Sequence, residues 1–203
     1  MIEERGNSEK PLIGSSKIHR EGKTLTRVSI TNDLTNKGPL AKNFGSVFHN
    51  PAMSGSRTRS VLLMAHVIEE GVLGNSKIRA LDGLTASGLR ARRWLNELPD
   101  SITSRLIVTA ADMDEAALEL VEVLESEFPS KNGELNLLLG DLRSSVLTQG
   151  WHWIDIDPFG SPVAFLDTAI QALARHGVLE VSATDTAALS GSSKNPLMRR
   201  YGA

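Results

Sequence analysis

The sequence predicts an α/β protein built on a parallel, helix-covered sheet, preceded by a small N-terminal β extension. Three observations carry that expectation. Apolar, strand-like runs alternate with helical patterns between residues 77 and 184, giving five strands whose connections are helices. Each run ends on polar or glycine residues, the place where open α/β sheets bind ligands. The 203 residues, 40% hydrophobic and 23% charged, are enough for one buried core.

Residues 1–16 are polar and expected to be frayed. Lys17–Ile30 reads as two short strands joined at Glu21-Gly22-Lys23, and Thr31–Leu40 reads as loop. Val61, Leu62, Met64, Ala65 and Ile68 recur at helical spacing, which predicts a helix over Ser60–Gly71 with a glycine C-cap. Residues 17–60 are thus taken as an extension and 61–203 as the core. Lys77–Asp82 is the first core strand, and a helix over Gly88–Leu98 stops at Pro99. Arg105–Ala111 is the second strand, followed by a helix from Asp112-Met113-Asp114 to about Glu127. Glu134–Leu139 is the third, ending at Gly140-Asp141. Trp151–Asp155 is the fourth, ending at Asp157-Pro158-Phe159-Gly160, with a helix over Pro162–Arg175 after it. Val178–Thr184 is the fifth, ending at Asp185. Trp151 and Trp153 alternate about His152, which predicts that both face one side of the core.

Composition excludes several classes. There is no cysteine, so no disulfide framework, thiolate metal site or thiol nucleophile. His19, His49, His66, His152 and His176 lack metal-ligand spacing, and no metal is expected. Ser190–Ser193 has no G-x-S-x-G elbow, and the methionines read as packing residues. The N-terminus has no apolar signal region and Val61–Ile68 is too short to span a bilayer, so an intracellular protein without membrane association is expected. The formal charge is −2, but residues 1–60 hold 10 Lys/Arg against 5 Asp/Glu while residues 61–203 hold 12 against 19. A basic N-terminal part fits either contact with a phosphate backbone or a solvated arm.

Asp82-Gly83-Leu84-Thr85-Ala86-Ser87-Gly88 links the first core strand to its helix. Its glycines fit a ligand approaching the backbone closely, or turn geometry alone. The spacing is not G-x-G-x-x-G, and a leading acid repels a diphosphate. Asp82 suits a cationic amino-acid-like group or a ribose instead, which turns the reading towards S-adenosylmethionine. Asp112, ending the second strand, is placed to hold ribose hydroxyls, and Asp141, ending the third, to accept from an adenine amino group. Each acid alone also fits a helix N-cap.

Asp157-Pro158-Phe159 resembles the (D/N/S)PP(Y/F/W) motif of methyltransferases that modify exocyclic amino groups. Such an amine is a poor nucleophile because its lone pair is delocalised into the ring. The Asp157 carboxylate and the Pro158 carbonyl could accept its two hydrogens and orient the nitrogen, while Phe159 stacks on the base. Asp157 could also take the released proton. A strand-end turn with a packed aromatic is the alternative.

Longer stretches resemble one family, the tRNA guanine-26 N2-dimethyltransferases of archaea and eukaryotes. Val47-Phe48-His49-Asn50-Pro51-Ala52-Met53 is similar to its VFYNPxM segment, with Arg57 following. Asp155–Pro162 is similar to its D-x-DPFGSP signature, and Ala183–Ala187 and Arg199–Ala203 to its ATDTA and RRYGA stretches. The resemblance implies a class I S-adenosylmethionine-dependent methyltransferase core, Rossmann-like, acting on tRNA. It implies that Arg57 and Arg90 hold the methionine carboxylate and that Asp112 binds ribose. It places Asp141 and Leu142 at adenine and Phe48, Asp157, Pro158 and Phe159 in the guanine pocket; Asp82 and Gly88 belong to the cofactor turn. Ser56-Arg57-Thr58 departs from the family's NRD, and Ser190 stands where many members have cysteine. Members continue past RRYGA into further strands and a C-terminal tRNA-binding domain, so a truncated member with an exposed fifth strand is expected. An amino-methyltransferase for another base or an amide, and a non-catalytic RNA- or cofactor-binding module, are the competing readings.

Overall fold

The computed structural model describes residues 16–29 and 47–202. Of the stretch 1–16 expected to be frayed, residues 1–15 lie outside the described residues, as does the loop expected at Thr31–Leu40, whereas Ser16 is paired in a strand. β1 (Ser16–Glu21) and β2 (Thr24–Ser29) form an antiparallel hairpin turning at Gly22-Lys23. Asn50 caps a 3₁₀ turn over Pro51–Met53, its side chain accepting from the Ala52 amide at 3.0 Å. That turn runs directly into α1 (Ser54–Glu69), so the helix starts six residues ahead of the expected Ser60. Apolar periodicity marked only its buried stripe of Val61, Met64 and Ile68; the polar first turn gave no such signal.

The core elements follow in the expected alternation: β3 (Ile78–Asp82), α2 (Leu89–Glu97), α3 (Asp100–Thr103), β4 (Leu106–Asp112), α4 (Glu115–Glu127) and β5 (Glu134–Leu139). α5 (Leu142–Ser145), β6 (Trp151–Ile156), α6 (Val163–Ala172), β7 (Leu173–Val181), α7 (Thr186–Leu189) and α8 (Lys194–Tyr201) complete them. The five core strands are parallel and lie in the order β5-β4-β3-β6-β7. The chain moves outwards from β3 to β5, then crosses to the other side of β3. A crevice at the strand ends between β3 and β6 is the geometric result.

Two expectations are corrected here. α6 ends at Ala172 rather than Arg175, because Leu173 already pairs with Trp151. Between Trp151 and Trp153 the β6–β7 register shifts, and this also separates the two tryptophans. Trp153 packs with Met64, Trp94, Ile78 and Val108 under α1 and α2, whereas Trp151 packs with Ile154, Val146 and Ala169 under α5 and α6. The Trp151 indole donates to the Val146 carbonyl at 2.7 Å, which fixes it on that side.

α2 (LRARRWLNE) carries three arginines yet is buried from Leu89 to Asn96, because the hairpin covers the face turned away from the sheet. Arg92 donates to the Leu25 carbonyl at 2.7 Å and Asn96 to Thr24 at 3.3 Å. Arg93 reaches Glu21 at 2.8 Å. The guanidiniums therefore satisfy hairpin and loop acceptors that would otherwise be stranded. Among the described residues, no helix is long and apolar enough to cross a membrane.

Candidate active site

At the crevice, Asp82 on β3 and Asp155 on β6 lie side by side as Cα partners. Both are buried, and the Arg90 side chain from the first turn of α2 reaches between the strand ends. Its Nη2 lies 2.7 Å from Asp157 Oδ2, its Nε 3.0 Å from Asp155 Oδ2 and its Nη1 3.6 Å from Glu180 Oε1. Only the Asp157 contact has full hydrogen-bond geometry; the approaches to Asp155 and Glu180 are ion pairs off the ideal direction. Glu180 is held from behind by the Ser60 hydroxyl at 2.6 Å, and that oxygen accepts from the Trp94 indole at 3.0 Å.

Four carboxyl groups thus crowd one guanidinium. Burial pushes Asp82 up from its ordinary value, opposed by Arg90, by the Thr85 hydroxyl at 2.7 Å and by the Ala91 amide at 3.1 Å. Asp155 is pushed well above the ordinary carboxylate range, first by burial, against Arg90, with Asp82, Glu180 and Asp157 adding repulsion. It has no well-aligned donor, so burial acts on it with less opposition than on Asp82.

Asp112 ends β4 and is wedged between two backbone donors. Its Oδ2 accepts from the Ala86 amide at 2.9 Å and its Oδ1 from the Asp114 amide at 3.0 Å. Ala86 has a φ of 46°, left-handed for a residue with a Cβ, so the turn is bent towards Asp112 at a steric cost of about 1–2 kcal/mol. The N-cap of α4 is Asp114, not Asp112. Asp141 does cap α5, accepting from the Arg143 amide at 2.9 Å, and the Arg143 guanidinium holds its carboxyl down at about 2. Leu142 is buried against Gly83, where an added Cβ would sit 2.7 Å from its Cδ1. A Cβ on Gly88 would sit 2.5 Å from Val121 Cγ2, and Gly88 has a φ of 66°. Both glycines thus allow close packing within the chain.

On the other side of the crevice, Phe159 is 67% exposed and its ring meets Phe48 edge to face, with centroids 4.5 Å apart. The turn bearing Phe159 is tied across to the segment after β7. The Gly160 amide donates to Thr184 Oγ1 at 3.1 Å, and the Thr184 amide donates back to the Gly160 carbonyl at 3.2 Å. Asp185 accepts from the Tyr201 hydroxyl at 2.5 Å and from Arg200 at 3.2 Å, which joins the ATDTA and RRYGA stretches.

Arg57 stands apart from this cluster. It binds Glu21 through two nitrogens, at 2.7 and 2.6 Å, and donates to the Asn50 carbonyl at 3.1 Å. The guanidinium thereby joins the hairpin to the segment that carries Phe48. Next to Phe48, His49 is pushed down to about 4 by burial and by Arg57, which keeps it neutral near pH 7. So the structure gathers Asp82, Arg90, Asp157, Pro158, Phe159 and Phe48 at one crevice, with Asp112, Asp141 and Leu142 along the neighbouring strand ends. Both arginines assigned by resemblance to the cofactor carboxylate are bonded to protein carboxylates. Glu180, Ser60 and Glu21 escaped sequence reasoning. A lone acid inside the apolar run VLEVSAT was the available signal for Glu180.

A family profile described as TRM, N2,N2-dimethylguanosine tRNA methyltransferase, matches residues 14–203. A tRNA (guanine(26)-N(2))-dimethyltransferase of Metallosphaera sedula is 32% identical over 187 residues, covering 90% of this chain and 44% of that protein. One from Thermococcus kodakarensis is 35% identical over 172 residues, covering 76% and 42%. The chain thus spans less than half the length of these curated relatives. Among solved structures, Trm5b from Pyrococcus abyssi matches with a TM-score of 0.57 at 15% identity, over 93% of this chain and 48% of its own. A SAM-dependent methyltransferase from Agrobacterium tumefaciens matches at 0.58 and 12% identity, over 84% and 53%. These two establish the fold, a class I methyltransferase sheet. With that fold, and with a profile match running from ahead of the hairpin to the last residue, the chain belongs to the N2,N2-dimethylguanosine tRNA methyltransferase family.

Proposed function

We propose that the chain carries the catalytic part of an enzyme that methylates the exocyclic N2 of guanine 26 in tRNA, to N2-methyl- and N2,N2-dimethylguanosine, using S-adenosylmethionine. The observation that carries this reading is the Asp157-Pro158-Phe159 turn. It presents a carboxylate, a backbone carbonyl and an exposed aromatic ring together at the switch point of the sheet. When bound, S-adenosylmethionine supplies an electrophilic methyl group on a positively charged sulfur. The residues present fit it: Asp112 and Asp141 stand at adjacent strand ends as acceptors for ribose hydroxyls and an adenine amine, and Leu142 lies beside Asp141. The carboxylates of the crevice favour a cationic centre.

Asp157 Oδ2 is bonded to Arg90, while Oδ1 has no hydrogen-bond partner among the described residues. Oδ1 and the Pro158 carbonyl accept the two amine hydrogens, which aims the nitrogen lone pair. Phe159 stacks on the base, and Phe48 closes from the edge. A monomethylated amine has one hydrogen fewer, so in a second round one of the two acceptors is left to solvent. The tRNA backbone meets the basic N-terminal part, and the reaction belongs in the intracellular compartment that holds tRNA.

The test is methyl incorporation from labelled S-adenosylmethionine into unmodified tRNA, with a guanine-26 to adenine transcript as control. Asp157→Ala should abolish incorporation with cofactor affinity nearly intact, and Asp112→Ala should weaken cofactor binding. Equal loss of binding in both variants would overturn this division of roles.

A further inference from the structure

Arg90 is nearly buried, 5% exposed, and all three guanidinium nitrogens face carboxylates that lie far along the chain. Guanidinium donors have fixed directions in one plane, and of the three contacts only that of Nη2 to Asp157 Oδ2 is an aligned hydrogen bond, those to Asp155 and Glu180 being ion pairs. A further anion in the same place would meet the repulsion of Asp157 and Glu180, beside the buried Asp82 and Asp155. That crowding of carboxylates disfavours a grip on the cofactor's carboxylate. It fits a different task. Glu180 is fixed through Ser60 and Trp94, so the far end of the guanidinium is anchored to α1 and α2. The near end then sets where Asp157 Oδ2 lies.

We infer that Arg90 is a positioning residue for Asp157: its Nη2 holds Oδ2 at 2.7 Å and thereby turns Oδ1 towards the acceptor amine. The inference rests on the methyl-transfer reading for its meaning, though the contact itself does not. Arg90→Lys keeps the charge and loses the fork. It should lower kcat for methyl transfer by about 100-fold, the cost of a small misplacement of a reacting group. The dissociation constant for S-adenosylmethionine and the KM for tRNA should stay within about twofold of the parent protein. In the Arg90→Lys background, Asp157→Asn should lower kcat by much less than it does alone.

A rise of about tenfold or more in the cofactor dissociation constant, with kcat at saturation preserved, would show a cofactor ligand and overturn the inference. Melting temperatures of the two single variants and the double variant give a readout that needs no activity. Non-additivity of about 2–4 °C is expected for two residues in direct contact, and strict additivity overturns the inference. If the parent protein binds cofactor but methylates no tRNA, the methyl-transfer reading fails, and the melting cycle alone decides the Arg90–Asp157 contact.

Discussion

Arg57 and Glu21 meet fork to fork across 36 residues of sequence, with Nε to Oε1 at 2.7 Å and Nη2 to Oε2 at 2.6 Å. Glu21 also accepts from Arg93 at 2.8 Å. One carboxylate therefore fastens the hairpin to α1 and α2 together, and through Arg57 to the Asn50 carbonyl beside Phe48.

The pH dependence of that fastening follows. Burial alone would raise Glu21, but hydrogen bonds and charge from Arg57 and Arg93 bring it from 4.5 down to about 2. A depressed carboxylate stabilises the folded state above its unfolded value and ceases to do so as pH falls through the folded one. Up to about 3 kcal/mol of hairpin docking should be lost between those two values. Protection factors of the β1–β2 amides should fall across this window, and Glu21→Gln should show the low protection already at neutral pH. Unchanged protection in that variant would contradict the assignment.

Asp155 has the opposite sign. Its folded-state value is raised, so its contribution is full below the ordinary carboxylate range and is lost as pH rises towards the folded value. Asp155→Asn, which mimics the protonated form, should melt higher than the parent protein, by a margin that widens as pH rises above the ordinary carboxylate range. A margin that narrows would mean that Asp155 is ionised and paired.

Gly88→Ala should destabilise by about 3 kcal/mol, since the added Cβ meets Val121 and the residue has a left-handed backbone. Val121→Ala in the same chain should recover the packing part and leave the backbone part. Denaturant titration of the three variants separates the two.

Phe159→Ala should raise the KM for tRNA by about tenfold or more, the worth of one stacked base, while Phe159→Tyr stays near the parent value. Because Phe48 touches the Phe159 ring at its edge, Phe48→Ala should cost less. Equal losses in the two would mean that the base lies between the rings.

Much of this arrangement was legible in the sequence because it depends on local pattern. Five core strands read as alternating apolar runs, and the acids at their ends fell where the sheet's switch point gathers them. What could not be read is long-range pairing. Nothing in LRARRWLNE distinguishes a solvated arginine stripe from three buried guanidiniums, since the acceptors come from Glu21, Leu25, Asp157 and Glu180. The register shift at Trp151 likewise depends on the partner strand, so simple alternation placed that ring on the wrong side. Arg57 and Arg90 were assigned by motif position alone, which carries no information about competing carboxylates nearby.

Synthesis runs from the N-terminus, and that gives the carboxylate cluster a history. Arg90 leaves the ribosome with only Asp82 made among its acids; Asp157 follows 67 residues later and Glu180 later still. At about 5–20 residues per second, a nascent α2 carries an unmatched cation for several seconds. The Gly160–Thr184 exchange closes later again. The sheet's first three core strands can pair while the reading face is still unwritten, and the crevice sets only when β6 and β7 arrive to clasp a guanidinium already waiting there.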